Sequence, residues 1–169
     1  MVGRKPVCRG TGDDPTRVVL ELFEQRLRDE AGPIVRNEAA LEQTLVQARV
    51  VVAEILSEAD IATSTDEVTV ALGTARAMAG VHPVHSVRAA DLFYEVALPV
   101  ITAQVGGGPL AAADLATRLH RAVSGRVTAG ALGYVDTLIR ELANTQILER
   151  QRVARELHDQ IAHSIGVAL

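Results

Sequence analysis

The chain has 169 residues, 48% of them hydrophobic and 22% charged, which excludes global disorder and allows one domain with a core plus an appended helix. Aromatic residues make up only 2%, with no Trp, so Ala, Val and Leu must fill the interior, a composition suited to close-packed helices rather than a β-sandwich. The net charge of −4 argues against a surface built to neutralise nucleic-acid phosphates.

The single cysteine, Cys8, cannot form an intrachain disulfide, which fits a reducing compartment. Met1 to Arg17 contains basic residues but no apolar block, so no secretory signal is expected. The longest apolar stretches, Val50 to Leu56 and Val96 to Val105, are too short to cross a bilayer. The expected location is the cytoplasm, with no membrane and no direct nucleic-acid partner.

Residues 1–13 carry Gly, Pro, Arg, Lys and Asp without periodicity and read as a flexible tail. Asp14-Pro15 supplies a helix cap followed by Pro at the first helical position. Val19, Phe23 and Leu27 follow at i, i+4 spacing, and Gly32-Pro33 ends that helix. A longer helix is predicted from about Ile34 to Glu58, with Leu41, Leu45, Ala48, Val52, Ile55 and Ala59 as its packed stripe. Ser64 and Glu67 form a capping box for the next helix, whose apolar face is predicted as Val68, Leu72, Ala75 and Ala79 and whose end is Gly80. Pro83 opens a helix from about Val84 to Val105 that is apolar nearly all round and should be central to a bundle, with a kink at Pro99. Gly106-Gly107-Gly108-Pro109 is the clearest break in the chain. An Ala-rich helix is predicted from Leu110 to about Ser124, then a soft junction at Gly125, Gly130 and Gly133, then a final helix from about Thr128. No convincing strand occurs, so the expected class is all-α.

The chemistry-bearing segment is Glu149 to Ile165, E-R-Q-R-V-A-R-E-L-H-D-Q-I-A-H-S-I. At about 100° per residue, Val153, Ala154, Leu157, Ile161, Ser164 and Ala168 share one mostly apolar seam. His158 lies at the seam's edge, and Asp159 and His163 lie side by side on the polar face, flanked by Arg152 and Arg155. A neutral imidazole is a good nucleophile toward phosphorus, a neighbouring acid can hold the released proton, and arginines can offset phosphoryl charge.

This string resembles the phosphoacceptor box of two-component sensor histidine kinases, closest to the nitrate/nitrite- and desaturase-thermosensor-type subfamily. Glu149, Arg150, Arg152, Ala154, Arg155, Glu156, Leu157, His158 and Asp159 match that pattern, with Val153 a conservative substitution. The resemblance implies that His158 is the phosphoacceptor, Asp159 the acid/base group assisting transfer, and His163 the residue orienting water in the phosphatase reaction. It further implies a homodimer, Mg-ATP as the cofactor of the full kinase, an ATP-binding domain in cis, and a response regulator with a helix-turn-helix output domain. No Asn-rich lid box or Gly-rich nucleotide motif follows, so the chain alone is expected to be inactive and to end inside its dimerisation helix.

The implied organisation is a tail over 1–13, a helical sensor domain over 14–125, a connecting signalling helix over 126–148 and a truncated phosphoacceptor helix over 149–169. Residues 73–99 also resemble the helical N-terminal sensor domains of stressosome regulators, some of them globin-like, so the bundle is expected to be globin-like or plain. Arg88, Asp91 and Glu95 form a polar stripe that either lines a ligand pocket or makes a charge network. His82 and His85 precede a helix without a third ligand nearby, which reads as capping rather than metal binding. Val135, Leu138 and Leu142, then Val153, Leu157 and Ile161, form an apolar stripe interrupted at Glu149 to Arg152 and expected to pair in a coiled coil. The alternative from another class is a non-enzymatic interaction or scaffold module of a stress-signalling complex, whose last helix merely docks.

Overall fold

A computed structural model describes residues 14–30, 32–57, 66–105 and 108–167, excepting the side chains at 66 and from 162 onward. The predicted tail with Cys8, Ser64 of the capping box, Ala59, Ala168, the Gly106-Gly107 part of the break, and the Ser164 and His163 side chains lie outside what is described. Six helices account for the described residues, with no strand among them: α1 (Pro15–Asp29), α2 (Pro33–Arg36), α3 (Glu38–Leu56), α4 (Asp66–Met78), α5 (Pro83–Val105) and α6 (Pro109–Val167). None of them is long and apolar enough to cross a membrane.

The helix starts follow local chemistry. Asp14 accepts the Thr16 N–H at 3.1 Å, with Pro15 at the first helical position. The predicted Ile34–Glu58 helix is divided, because Asn37 takes an extended backbone and caps α3 by accepting the Ala40 N–H at 3.0 Å. A short polar side chain competing for the backbone broke what apolar periodicity alone made continuous.

Gly80 ends α4 in the left-handed region at φ 67°. The Val81 N–H reaches the Arg76 carbonyl at 2.9 Å and the Gly80 N–H reaches Ala77 at 3.0 Å, which is a Schellman closure with Val81 buried beneath it. His82 then starts α5 by accepting the Val84 N–H on Nδ1 at 3.2 Å. Helix α5 continues across Pro99, whose ring is exposed.

The core lies where α1, α3 and α5 meet the first half of α6, with Val19, Phe23, Val52, Leu92, Ile101 and Leu119 almost completely buried. The chain's two Phe residues, Phe23 and Phe93, meet edge to face with centroids 5.2 Å apart. Such a pair contributes about 0.5–1.5 kcal/mol beyond its area burial. As expected, α5 is central, contacting α1, α2, α3 and α6.

Two expectations fail at α4 and α6. Val68 and Ala75 are exposed, and α4 instead buries Thr69 and Gly73 against α6. The reason is close backbone approach: a Cβ on Gly73 would overlap the Gly130 carbonyl, and one on Gly133 would overlap that of Val70. The smallest face of α4 therefore docks, although its larger apolar residues lie elsewhere. The predicted junction at Gly125, Gly130 and Gly133 is likewise absent, and α6 runs unbroken over 59 residues, about 90 Å. Two of those glycines are packing surface rather than breaks.

Arg88 of α5 is ion-paired with Glu30 at the end of α1 at 2.8 Å, and Glu95 lies 3.6 Å from Arg26. The hydrogen bond from Arg88 holds the Glu30 carboxyl below its usual range, and this pair raises Arg88 in turn. A depressed carboxylate stabilises the fold above its unfolded-state value, roughly pH 4.3, and loses that contribution as pH falls through its folded value. Glu30→Gln should therefore lower the melting temperature modestly at pH 7, with the gap to wild type closing in acid. Because the pair is exposed, the gap should also shrink in high salt. Melting curves across pH and salt check both.

Candidate functional site

The packed body reaches Thr137 of α6, buried with its hydroxyl donating to the Gly133 carbonyl at 2.8 Å. From Leu138 to Ile161 every residue is exposed. The candidate phosphoacceptor segment therefore stands on a helix that leaves the bundle and runs for about 35 Å with no tertiary cover from the described residues.

What holds this stretch helical is local. Asp136 pairs with Arg140, and Arg152 bridges Glu149 at 2.7 Å and Glu156 at 2.9 Å. Exposed pairs of this kind contribute little individually. The hydrogen bond from Arg152 holds the Glu149 carboxyl below its usual range and raises Arg152. Most helical stability in proteins comes from packing of an amphipathic face, and no described residue packs on this one.

His158 and Asp159 are both exposed and adjacent on α6, open to an incoming group. His163 lies on the same helix one turn beyond Asp159. Of the two flanking arginines, Arg152 is already balanced by two carboxylates. Arg155 donates only to the Gln151 carbonyl, at 3.2 Å, and has no carboxylate partner among the described residues. Its i−3 position places it on the face of His158, which leaves its charge available there.

The apolar stripe keeps one direction on both sides of its interruption at Glu149 to Arg152. Val135, Leu138, Ile139, Leu142, Val153, Leu157 and Ile161 fall within about 140° around the axis. Leu142, Leu157 and Ile161 are 64%, 54% and 59% exposed.

Arg88, Asp91 and Glu95 do not join this segment. They lie exposed on α5, and none of them lines the cavity between α3, α4, α5 and α6. That cavity, about 130 Å³, is lined by α3, α4, α5 and α6 together with Phe23 of α1 and opens to the surface. Sequence reasoning missed it, along with Arg76, its most unusual wall residue. The available signal was an arginine set between small residues, Thr74-Ala75-Arg76-Ala77, on a helix closed by Gly80. Among the described residues no group of three or more His, Cys, Asp or Glu side chains is gathered to hold a metal ion.

No protein-family model, curated protein or solved structure matches this chain.

Proposed function

We propose that the chain is the cytoplasmic input and dimerisation part of a sensor histidine kinase, with His158 as the residue that receives the γ-phosphoryl group of Mg-ATP and passes it to a response-regulator aspartate. One observation carries this reading: the E-R-Q-R-V-A-R-E-L-H-D string lies on a single uninterrupted helix, exposed to solvent and rooted in a separate bundle. The bundle, globin-like or plain, serves as the input, and α6 as the rod to the phosphoacceptor.

In the proposed reaction, the lone pair of a neutral His158 nitrogen attacks the γ-phosphorus, the bond to the β,γ-bridging oxygen breaks, and ADP leaves. Asp159 holds the imidazole's other N–H and stabilises the charge that develops. Arg155 faces the phosphoryl oxygens. His163 orients water when the phosphorylated regulator is hydrolysed. A kinase ATP-binding domain, joined after Leu169 or supplied separately, provides the direct test. With Mg-ATP the label should appear on His158 and be acid-labile and alkali-stable, as a phosphoramidate is. A protein that stays unlabelled beside an ATP-binding domain active on another phosphoacceptor helix would sink the reading in favour of a scaffold module.

The covering of the apolar stripe is proposed to be a second copy of the chain in a parallel coiled coil. An exposed seam this long is unfavourable in water, and a two-fold partner offers the same stripe in the same register. Wild type should be dimeric by analytical ultracentrifugation. Replacing Leu142 and Leu157 together with Glu should give a monomer, since both charges would have to be desolvated in the seam. A monomeric wild type at high concentration, or an unaltered double variant, would refute the pairing.

A further inference from the structure

The cavity wall is mostly apolar, and among its polar members Arg76 stands out. Arg76 is largely withdrawn from water, and burial alone pushes its pKa down, although an arginine stays protonated under any physiological condition. Its Nη1 donates to Ser86 Oγ and its Nη2 to Thr44 Oγ1 at 2.9 Å, both neutral acceptors. Thr44 in turn spends its own proton on the Ala40 carbonyl at 2.6 Å. The Nε–H of Arg76 is buried with no partner, and no carboxylate pairs with this guanidinium among the described residues.

The other arginine on the wall shows what a completed site looks like. Arg126 is held by both oxygens of Glu54 at 2.7 and 2.8 Å, by Gln47 at 3.3 Å and by the Ala122 carbonyl at 3.1 Å. It is neutralised and fully engaged, so it offers nothing to a further anion. A buried charge without a counter-charge is costly, and native structures normally pair it. For Arg76, which also lines the cavity, that carboxylate partner is missing among the described residues.

We propose that this cavity is a binding site for a small amphipathic monocarboxylate, with the carboxylate on Arg76 and the apolar body against Phe93 and Val127. Size sets the class. A cavity of about 130 Å³ is close to the roughly 150 Å³ engineered apolar cavity that accepts benzene, which indicates about six to nine non-hydrogen atoms. Charge sets it further. One uncompensated cation matches one negative charge, and a phosphate dianion would find too few donors and leave the apolar wall unfilled. Val87 and Ala131, exposed members of the lining, mark where the cavity reaches the surface.

Calorimetric titration and thermal melting of the 169-residue chain with sodium isovalerate and sodium benzoate test this without any phosphoryl transfer, so the outcome is independent of the role given to His158. Both salts should bind and raise the melting temperature. Benzyl alcohol, which keeps the body and loses the charge, should bind at least tenfold more weakly than benzoate, about the value of a charge-assisted hydrogen bond. Inorganic phosphate should not bind.

Arg76→Gln should weaken benzoate by a similar factor while melting no lower than wild type in the absence of ligand, because it removes an unpaired buried charge. A purely structural arginine would instead melt lower on replacement and leave benzoate binding unchanged. Val127→Phe, which fills the cavity and keeps Arg76, should lose benzoate while retaining a helical spectrum. Absence of binding by both carboxylates, equal binding of benzyl alcohol, binding of phosphate alone, or undiminished benzoate binding in either variant would overturn the assignment.

Discussion

Replacing His158 with Gln should abolish acid-labile labelling from Mg-ATP, in a chain that carries or is supplied with a kinase ATP-binding domain. Gln keeps polar bulk but lacks a nucleophilic nitrogen, so the loss is complete rather than partial. Helix content and dimerisation should be little affected, because position 158 lies at the edge of the apolar seam rather than within it. Asp159→Asn should slow labelling by about 100- to 10,000-fold, the usual worth of a general acid–base group, and leave the nucleophile in place. Arg155→Ala should also slow it, whereas Arg152→Ala should do so less, since Arg152 is already balanced by Glu149 and Glu156. His163→Ala should spare labelling and weaken dephosphorylation of the regulator. Full labelling of His158→Gln, read by phosphopeptide mapping, would show that the last helix is only structural.

Gly73→Ala should be among the most destabilising single substitutions in the chain, although Ala is normally the better helix former by about 1 kcal/mol. The added Cβ would meet the Gly130 backbone, with the carbonyl carbon at 2.8 Å as well as its oxygen, and a backbone cannot rotate aside as a side chain can. The two helices must separate, at a net cost of roughly 3 kcal/mol or more, the upper end of overpacking. Gly133→Ala should behave alike, because its Cβ would lie 2.9 Å from the Val70 carbonyl carbon in addition to overlapping the oxygen. Gly130→Ala, one helical turn away, should be near neutral, since its Cβ would meet Thr69 no closer than 3.8 Å. Gly125→Ala, with open space around it, should stabilise by about 0.5–1 kcal/mol. Urea unfolding followed by circular dichroism gives all four values. Equal effects at 73 and 125 would refute the close crossing. Gly73 and Gly130 also line the cavity, so Gly73→Ala should reduce benzoate binding along with stability.

That crossing marks the boundary between what local sequence decides and what tertiary packing decides. Cap chemistry and stop signals are written in a few neighbouring residues, so Asp14-Pro15, Pro83 and the Gly80 closure were readable where they stand. The faces of α1 and most of α3 were readable as well, because Val19, Phe23, Leu27, Ala48, Val52 and Ile55 recur at helical spacing and large apolar groups must leave water. The string from Glu149 to Asp159 was visible as a pattern for the same reason: its residues lie within a few turns of one helix.

The face of α4 was not readable in this way. Hydrophobic bulk favoured Val68 and Leu72, whereas the docking was decided by which residues allow two backbones to touch, and that depends on Gly130 and Gly133 some sixty residues away. Arg76 and Arg126 look alike as letters. Their difference arises only when α3 brings Glu54 to Arg126 and leaves Arg76 with hydroxyls. The charge network of Arg88 and Glu95 is likewise a property of where α1 lies. Local sequence determines a helix's ends and its most apolar side, through hydrogen bonds and hydration within a few residues. Which side docks, and which charge stays unpaired, is determined by distant elements, because close packing and low-dielectric pairing exist only once those elements have met.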